Sequence, residues 1–284
     1  MATTGMGSFL RAGAGTIVIT DHGKQERTEE YREQMVLKEN ERIDSLLLGN
    51  RRIIQNSKEF CFSLDAVLLA NFLSGNRSQR VLDLGTGTGV MPLLICDRVK
   101  KVEAIELNPV MADMAQRSVE MNELTDKIIV HQGDYRELEK LFPAESFDAV
   151  LSNPPYRPIG HGEANHLSGV ARARHEITAT LADTVKAARY ALRFHGRLAM
   201  VHLPERLGEI IVALHDNQLE IKRLQFVQPK ADKAPNMVLL EAICGGSPGG
   251  LKVLPPLIVH DQTGNYTPEV LRYYETEGKD NDRE

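Results

Sequence analysis

A chain of 284 residues with a formal net charge of −5, 42% hydrophobic and 26% charged residues has an ordinary globular balance, with material for one sizeable α/β domain. That balance excludes a globally basic nucleic-acid binder, and no stretch approaches the ~18 consecutive apolar residues of a membrane helix. The first apolar pieces are short and broken by Gly and charge, unlike a signal peptide, so a cytoplasmic location is expected. Cys61, Cys96 and Cys244 have no paired spacing, which predicts buried thiols rather than a disulfide framework or a zinc site; the His, Asp and Glu spacings suggest no metal either.

In chain order, residues 1–34 are Gly/Thr-rich and then strongly charged, and read as a disordered extension, with Met35 a possible alternative start. Residues 41–49 form a short helix or strand leading into RRIIQ. A helix follows, capped by Ser63 or Asp65, with apolar Val67, Leu68, Ala70 and Phe72 running toward Gly75. The chain then alternates. Strands are expected at 80–84, 101–107, 127–132, 147–153 and 196–203. Helices are expected from Gly89 to about Asp97, from Pro109 to Asn122, briefly near Glu137, from about Thr178 to Phe194, and from Pro204 to Asn217. EIKRLQFVQ and NMVLLEAIC close the domain as two further strands joined by a loop. The expectation is an α/β fold with a doubly wound, mostly parallel seven-stranded sheet and an antiparallel hairpin at one edge. The domain is placed at 35–265, with an acidic tail at 266–284.

Charge is unevenly distributed. Seven Lys/Arg against three acids between Arg157 and Arg197 give +4, and four against one between Lys222 and Lys233 give +3, while the tail from Glu269 holds six acids and three bases. Such runs are solvated surface or a local face for a polyanion.

In an open doubly wound sheet, ligands bind beyond the carboxyl ends of the strands. The first strand of the alternating series ends in Asp83-Leu84-Gly85-Thr86-Gly87-Thr88-Gly89, a turn in which glycine permits close approach of a ligand. The next ends at Glu106, 21 residues after Gly85, where a carboxylate accepts hydrogen bonds from a ribose diol. The third ends at Gly133-Asp134, where Asp134 accepts from an adenine amino group. Together these acids describe a pocket for an adenosine with free ribose hydroxyls. A nicotinamide dinucleotide is the competitor, but the spacing is G-x-G-x-G rather than G-x-G-x-x-G, and no second nucleotide-binding half is visible. The pattern resembles the S-adenosylmethionine (SAM) site of class I methyltransferases. That resemblance implies a Rossmann-like methyltransferase sheet, the loop Gly85, Gly87 and Gly89 around the methionine part, and Asp83 on its ammonium.

The fourth of these strands runs into Asn153-Pro154-Pro155-Tyr156, which resembles the NPPY motif of amino-methyltransferases. An adenine amino group is a poor nucleophile because its lone pair is delocalised into the ring. Two aligned acceptors, the Asn153 side-chain oxygen and the Pro154 carbonyl, draw its nitrogen toward a tetrahedral shape, and the paired prolines stiffen the loop that aims them. Tyr156 offers a ring for stacking the planar target. A proline-rich turn without catalytic meaning is the bland alternative.

NPPY serves adenine methyltransferases on DNA and RNA and enzymes that methylate a glutamine amide of release factors. The flanks narrow the choice. ERIDSLLLGNRRIIQNSKEFCFSLDAVLLANFL, NPPYRPIG, ARHEITATLADTV, VHLPERL, QFVQPKADKAPNMVLLEA and LPPLIVHDQTGNYTPEV resemble the bacterial tRNA(Val) adenine-N(6)-methyltransferase family from about Arg42 to Tyr274. The resemblance implies SAM as cofactor, tRNA as partner, and methylation of the adenosine amine just 3′ of the anticodon. Phe62 either closes over SAM or packs in the core. Arg172, Arg174 and His175 meet phosphates or belong to a solvated loop, and Lys230 joins them as a candidate RNA contact. Methylation of DNA adenine or protein glutamine, and a non-catalytic SAM- or RNA-binding role, are the alternatives; the N-terminus is too short and polar for the helical recognition domain expected of a glutamine enzyme.

Overall fold

The computed structural model describes residues 37–46, 51–58, 64–74, 79–154 and 179–274. The chain divides into two units, Met1–Glu39 and Asn40–Glu284, and every element below belongs to the second. The extension at 1–34, Cys61, Phe62, Ser63, Tyr156, Arg172, Arg174 and His175 lie outside the described residues.

Strands β1 (Glu41–Ser45) and β2 (Arg52–Asn56) form an antiparallel hairpin. Helix α1 (Leu64–Phe72) follows, with Asp65 inside its first turn rather than capping it. The alternating segment contains β3 (Arg80–Leu84), α2 (Val90–Ile95), β4 (Lys101–Glu106), α3 (Pro109–Met121), β5 (Ile128–Gln132), a 3-10 turn (Tyr135–Lys140) and β6 (Phe147–Ser152). Beyond the NPPY segment come α4 (Leu181–Ala191), β7 (Leu192–His202), α5 (Leu207–Asp216), β8 (Leu219–Gln228) and β9 (Met237–Cys244). The two-residue strands β10 (Lys252–Val253) and β11 (Leu257–Ile258) and helix α6 (Pro268–Leu271) complete the unit.

The main sheet has the order β10-β8-β9-β7-β6-β3-β4-β5, with β11 also on β8. From β7 to β5 neighbours are parallel, and β9 runs antiparallel to both β7 and β8. The seven expected strands are present. Two short ones are added, separated by Pro255-Pro256, and they pair with β8 in parallel so that the β8–β9 hairpin does not end the sheet.

Alternate residues along each strand enter different cores, the period-2 signature of a sheet covered on both faces. Val81, Val102, Ala149, Ala199 and Val201 face α1, α2 and α3. Leu82, Ile105, Val150, Leu198 and Met200 face α4 and α5. Cys96 and Cys244 are buried free thiols.

Two boundaries differ from expectation. The helix expected to reach Phe194 ends at Ala191, because Leu192 is buried and pairs with Phe147 at the start of β6. The next pair is Ala149 with Arg197, so extra residues of β7 bulge outward between the two. His195 there has φ +63°, and a Cβ on Gly196 would sit 2.9 Å from the Arg193 carbonyl oxygen. Likewise, the fold does not stop at 265: Thr267 caps α6, and Val270 is fully buried in the core, so the segment to Tyr274 is packed rather than tail.

The β1–β2 hairpin is fastened to the helices that flank the glycine loop. Ile54 N–H donates to Ser118 Oγ (2.9 Å), Asn122 exchanges two hydrogen bonds with the Arg52 backbone, and Arg117 bridges Glu41 and Asp113. Arg51 donates to the Leu93 carbonyl and pairs with Asp97.

Candidate active site

The strand order reverses at β3, whose neighbours are β4 on one side and β6 on the other. Register places the carboxyl ends level, Leu84 opposite both Ile105 and Ser152, and Glu106 opposite Gln132. Four sequence-predicted positions therefore meet on one rim: the Asp83–Gly89 loop, Glu106, Asp134 and Asn153-Pro154. Adjacent strand ends are about 4.8 Å apart laterally, well within the span of one nucleoside.

The loop is built by backbone bonding. Gly85 and Thr86 N–H both donate to the Ile105 carbonyl at 3.0 Å, and Gly87 N–H donates to Glu106 Oε2 at 2.8 Å. Gly85, Gly87 and Gly89 all have positive φ, at +73°, +61° and +89°. At Gly89 a Cβ would also fall 3.2 Å from that of Ala115, so this glycine lets α2 start directly against α3.

Asp83 is the decisive side chain. It is fully buried, and neither of its oxygens meets a donor among the described residues; the nearby Thr86 hydroxyl is also buried and unpartnered among them. Burial pushes the Asp83 carboxyl up to about 7; the Thr86 side chain beside it opposes the rise without forming a hydrogen bond, and the charge of Glu106 adds to it. A buried carboxylate without donors is costly unless a ligand supplies them. An ammonium at this position would draw the carboxyl back to its ionised form. The donor-free carboxylate at the root of the glycine loop thus fits the aminoacyl end of SAM.

Glu106 holds more of the loop than the sequence indicated. Its Oε2 takes Gly87 N–H and its Oε1 takes Asn108 N–H, at 2.8 Å each. Burial raises its pKa and those backbone donors oppose the rise. Each oxygen keeps a further lone pair, so the carboxylate can pin the loop and accept from a diol together. Asp134 is more committed. It caps the 3-10 turn through Arg136 N–H and binds the Arg136 guanidinium at 2.9–3.0 Å, which holds its carboxyl below the usual range. Acceptance from an adenine amino group would fall to its remaining lone pairs.

Asn153 is half-buried and Pro154 buried immediately after β6. Ser152 Oγ, 3.5 Å from the Leu84 carbonyl, ties this end to β3. Helix α1 starts toward the same rim: its far end meets Arg98, in the turn before β4, through the Ala70 carbonyl (2.5 Å). Lys230 lies just past the end of β8, which runs parallel to β7 through the intervening β9, so it belongs to this rim, three strand spacings or roughly 14 Å from Asn153.

Sequence reasoning missed two neighbours of the site. Gln55, buried in β2, donates to Thr88 Oγ1 at 2.8 Å and links the hairpin to the loop. His202, buried at the end of β7, accepts the Leu203 N–H at Nδ1 (2.7 Å), and burial with the charge of Arg206 holds its pKa down to about 4. A glutamine in an alternating strand and a histidine after an apolar run carry no local signal. Among the described residues no group of His, Cys, Asp and Glu is arranged to hold a metal ion, and no helix is long and apolar enough to cross a membrane.

Residues 62–206, half of the chain, match the methyltransferase small domain model. A protein of Porphyromonas gingivalis named tRNA1(Val) (adenine(37)-N6)-methyltransferase is 31% identical over 226 residues, covering 74% of this chain and 86% of its own. One of the same name from Pasteurella multocida is 31% identical over 215 residues, covering 73% and 85%. The chain belongs to this family. It is a class I methyltransferase in fold as well: a solved structure described as a predicted O-methyltransferase from Agrobacterium tumefaciens superposes with a TM-score of 0.60 at 25% identity, over 74% of this chain and 95% of that one.

Glu106→Ala removes the acceptor of two backbone donors, Gly87 N–H and Asn108 N–H, at once. It is expected to weaken SAM by roughly 1–3 kcal/mol in calorimetry, the scale of lost charge-assisted hydrogen bonds. Undiminished affinity would leave Glu106 as a pin of the glycine loop with no part in holding SAM.

Proposed function

We propose that this enzyme transfers the methyl group of SAM to the exocyclic amine of an adenosine in the anticodon loop of a tRNA. The observation that carries the reading is the level placement of Asn153-Pro154 beside the donor-free Asp83 carboxylate, on neighbouring strands β6 and β3. The names of the relatives point to the same substrate, adenine 37 of tRNA1(Val).

Bound SAM supplies a sulfonium-activated methyl group. The chain's residues would do the rest. Asp83 takes the ammonium, the 85–89 loop lies against the methionine chain, Glu106 accepts from the ribose, and Asp134 accepts from the cofactor's adenine. Asn153 Oδ1 and the Pro154 carbonyl accept both N–H bonds of the target amine and aim its lone pair. Tyr156 is assigned the stacking ring on its sequence position, as is Phe62 a closing role, and Arg172, Arg174 and His175 phosphate contacts. No strong base is required, because the alkylated nitrogen becomes acidic and sheds its proton to water. An anticodon-loop base is already unpaired and cheap to extrude.

The test is to incubate the protein with labelled SAM and, separately, tRNA, rRNA, DNA and a release factor, then digest and identify the product. N6-methyladenosine from the anticodon loop is the expected outcome. Label in DNA or in a protein amide would overturn the substrate, and label in none of them the activity.

A further inference from the structure

Past the end of β8 the chain builds a feature that the transfer chemistry does not use. β11 pairs with Val227 and Gln228, and His260 N–H then donates to the Pro229 carbonyl at 3.0 Å, one residue from Lys230. His260 and Tyr266 bracket a tight turn and form a bridge; Asp261 closes the turn by accepting from Thr263 and Asn265 N–H. Their rings stack at 5.1 Å between centroids and 22° between planes. Tyr266 stacks in turn on Tyr274 at 6.0 Å and 21°.

The three rings form one offset ladder: at 5.1 and 6.0 Å between centroids the neighbouring rings cover only part of Tyr266. Tyr274 packs against the core, in the Arg272–Tyr274 turn that meets α1. Burial, with Tyr266 beside it, pushes the Tyr274 hydroxyl up to about 12, so this ring stays uncharged and does not repel a phosphate. Tyr266 is 39% exposed, so part of its ring is open to solvent. Lys230 and the exposed Lys233 stand in the adjoining 229–236 loop, and Arg272 is exposed between Tyr266 and Tyr274 in sequence. An aromatic stack with cations close by, among them Lys233 ion-paired to Asp232 at 3.8 Å, has the composition that holds single-stranded nucleic acid without reading its sequence.

Its position suits the substrate proposed above, on which this inference rests. The ladder belongs to the rim that carries Asn153, beyond β8 and so roughly 14–19 Å away by strand spacing, a gap that a few nucleotides of unstacked strand bridge. We propose that the His260–Tyr266–Tyr274 ladder is a stacking platform for an unpaired base of the RNA substrate flanking the methylated adenosine. A base lies against the exposed side of Tyr266 while Lys230 meets the adjacent phosphate. Extruding the target base opens the loop's own stack, and the platform replaces that lost stacking outside the catalytic pocket.

The experiment uses the full chain and anticodon stem-loop RNAs in which 2-aminopurine replaces one loop base near the target. Stacking on the platform should quench its fluorescence at one position with the wild-type protein. Tyr266→Ala should abolish the quench and weaken stem-loop binding roughly 5- to 100-fold, the range for one stacked base. Its SAM affinity and salt dependence should stay unchanged. Tyr266→Phe should keep the quench, and Lys230→Ala should keep it while flattening the salt dependence. Tyr266→Leu, which fills the same space without a π face, separates stacking from packing: a quench as strong as wild type with this variant overturns the platform. So does unchanged binding by a folded Tyr266→Ala protein. A wild-type enzyme that methylates no RNA would instead defeat the substrate assignment, and full RNA methylation without any position-specific quench would defeat the platform alone.

Discussion

Replacing Asn153 by alanine is expected to lower the single-turnover methylation rate by about two to three orders of magnitude at saturating SAM and RNA, with SAM affinity nearly intact. That is the range for one lost preorganised electrostatic contact to a developing transition state. The side chain follows a buried strand end that is bonded to β3, so its removal deletes an acceptor and leaves the rim standing. The target amine then keeps only the Pro154 carbonyl, and its lone pair stays in the ring. Asn153→Asp keeps an acceptor oxygen and should retain more activity than alanine. A rate within a few-fold of wild type for Asn153→Ala would make the loop a mere turn. Tyr156→Ala should also be severe and Tyr156→Phe mild, since stacking needs the ring and not the hydroxyl.

The second large effect concerns Asp83, where binding and stability pull in opposite directions. Its carboxyl is held near 7 in the folded, ligand-free protein against 3.8 for an ordinary aspartate. The folded state therefore binds the proton more tightly than the unfolded chain. Stability is unaffected by this group below about pH 4, falls as pH rises from about 4 to 7, and carries the full penalty above that, up to ~4 kcal/mol. Asp83→Asn removes the titration. It should raise the melting temperature of the ligand-free protein at pH 8, leave it close to wild type near pH 4, and abolish SAM binding at both. In the wild type, SAM affinity should climb as pH rises through about 7, because the ammonium binds the ionised carboxylate. A variant that melts lower than wild type at pH 8, or that binds SAM normally, would contradict the assignment of this carboxylate as an anionic seat awaiting a cation.

Much of this site was legible because it is written in strand ends. A buried parallel strand reads as an unbroken apolar run, so a polar or glycine residue that interrupts it marks the rim where ligands bind. Asp83, Glu106, Asp134 and Asn153 each stand at such an interruption, and the alternation of strands with helices made those ends neighbours. What remained hidden depends on partners far away in sequence. Gln55 meets Thr88 across 33 residues, and the double duty of Glu106 appears only once the glycine loop folds back over β4. Asp134 reads as a free acceptor until Arg136, two residues on, is seen to occupy it. The early end of α4 follows from Leu192 being drawn into the ladder beside Phe147, a pairing that overrides the helical pattern.

The sequence by itself determined the architecture, the order of the strand ends and the residue types that stand at them, because these rest on local periodicity and on residues whose bonding capacity is fixed. Only the tertiary structure decided that Asp83 is buried without a donor, that residues beyond 265 belong to the core through Val270, and that three rings from His260 to Tyr274 fall into one stack beside Lys230. Burial and stacking are properties of surroundings, and the surroundings of a side chain are assembled from segments that the chain brings together only when it folds.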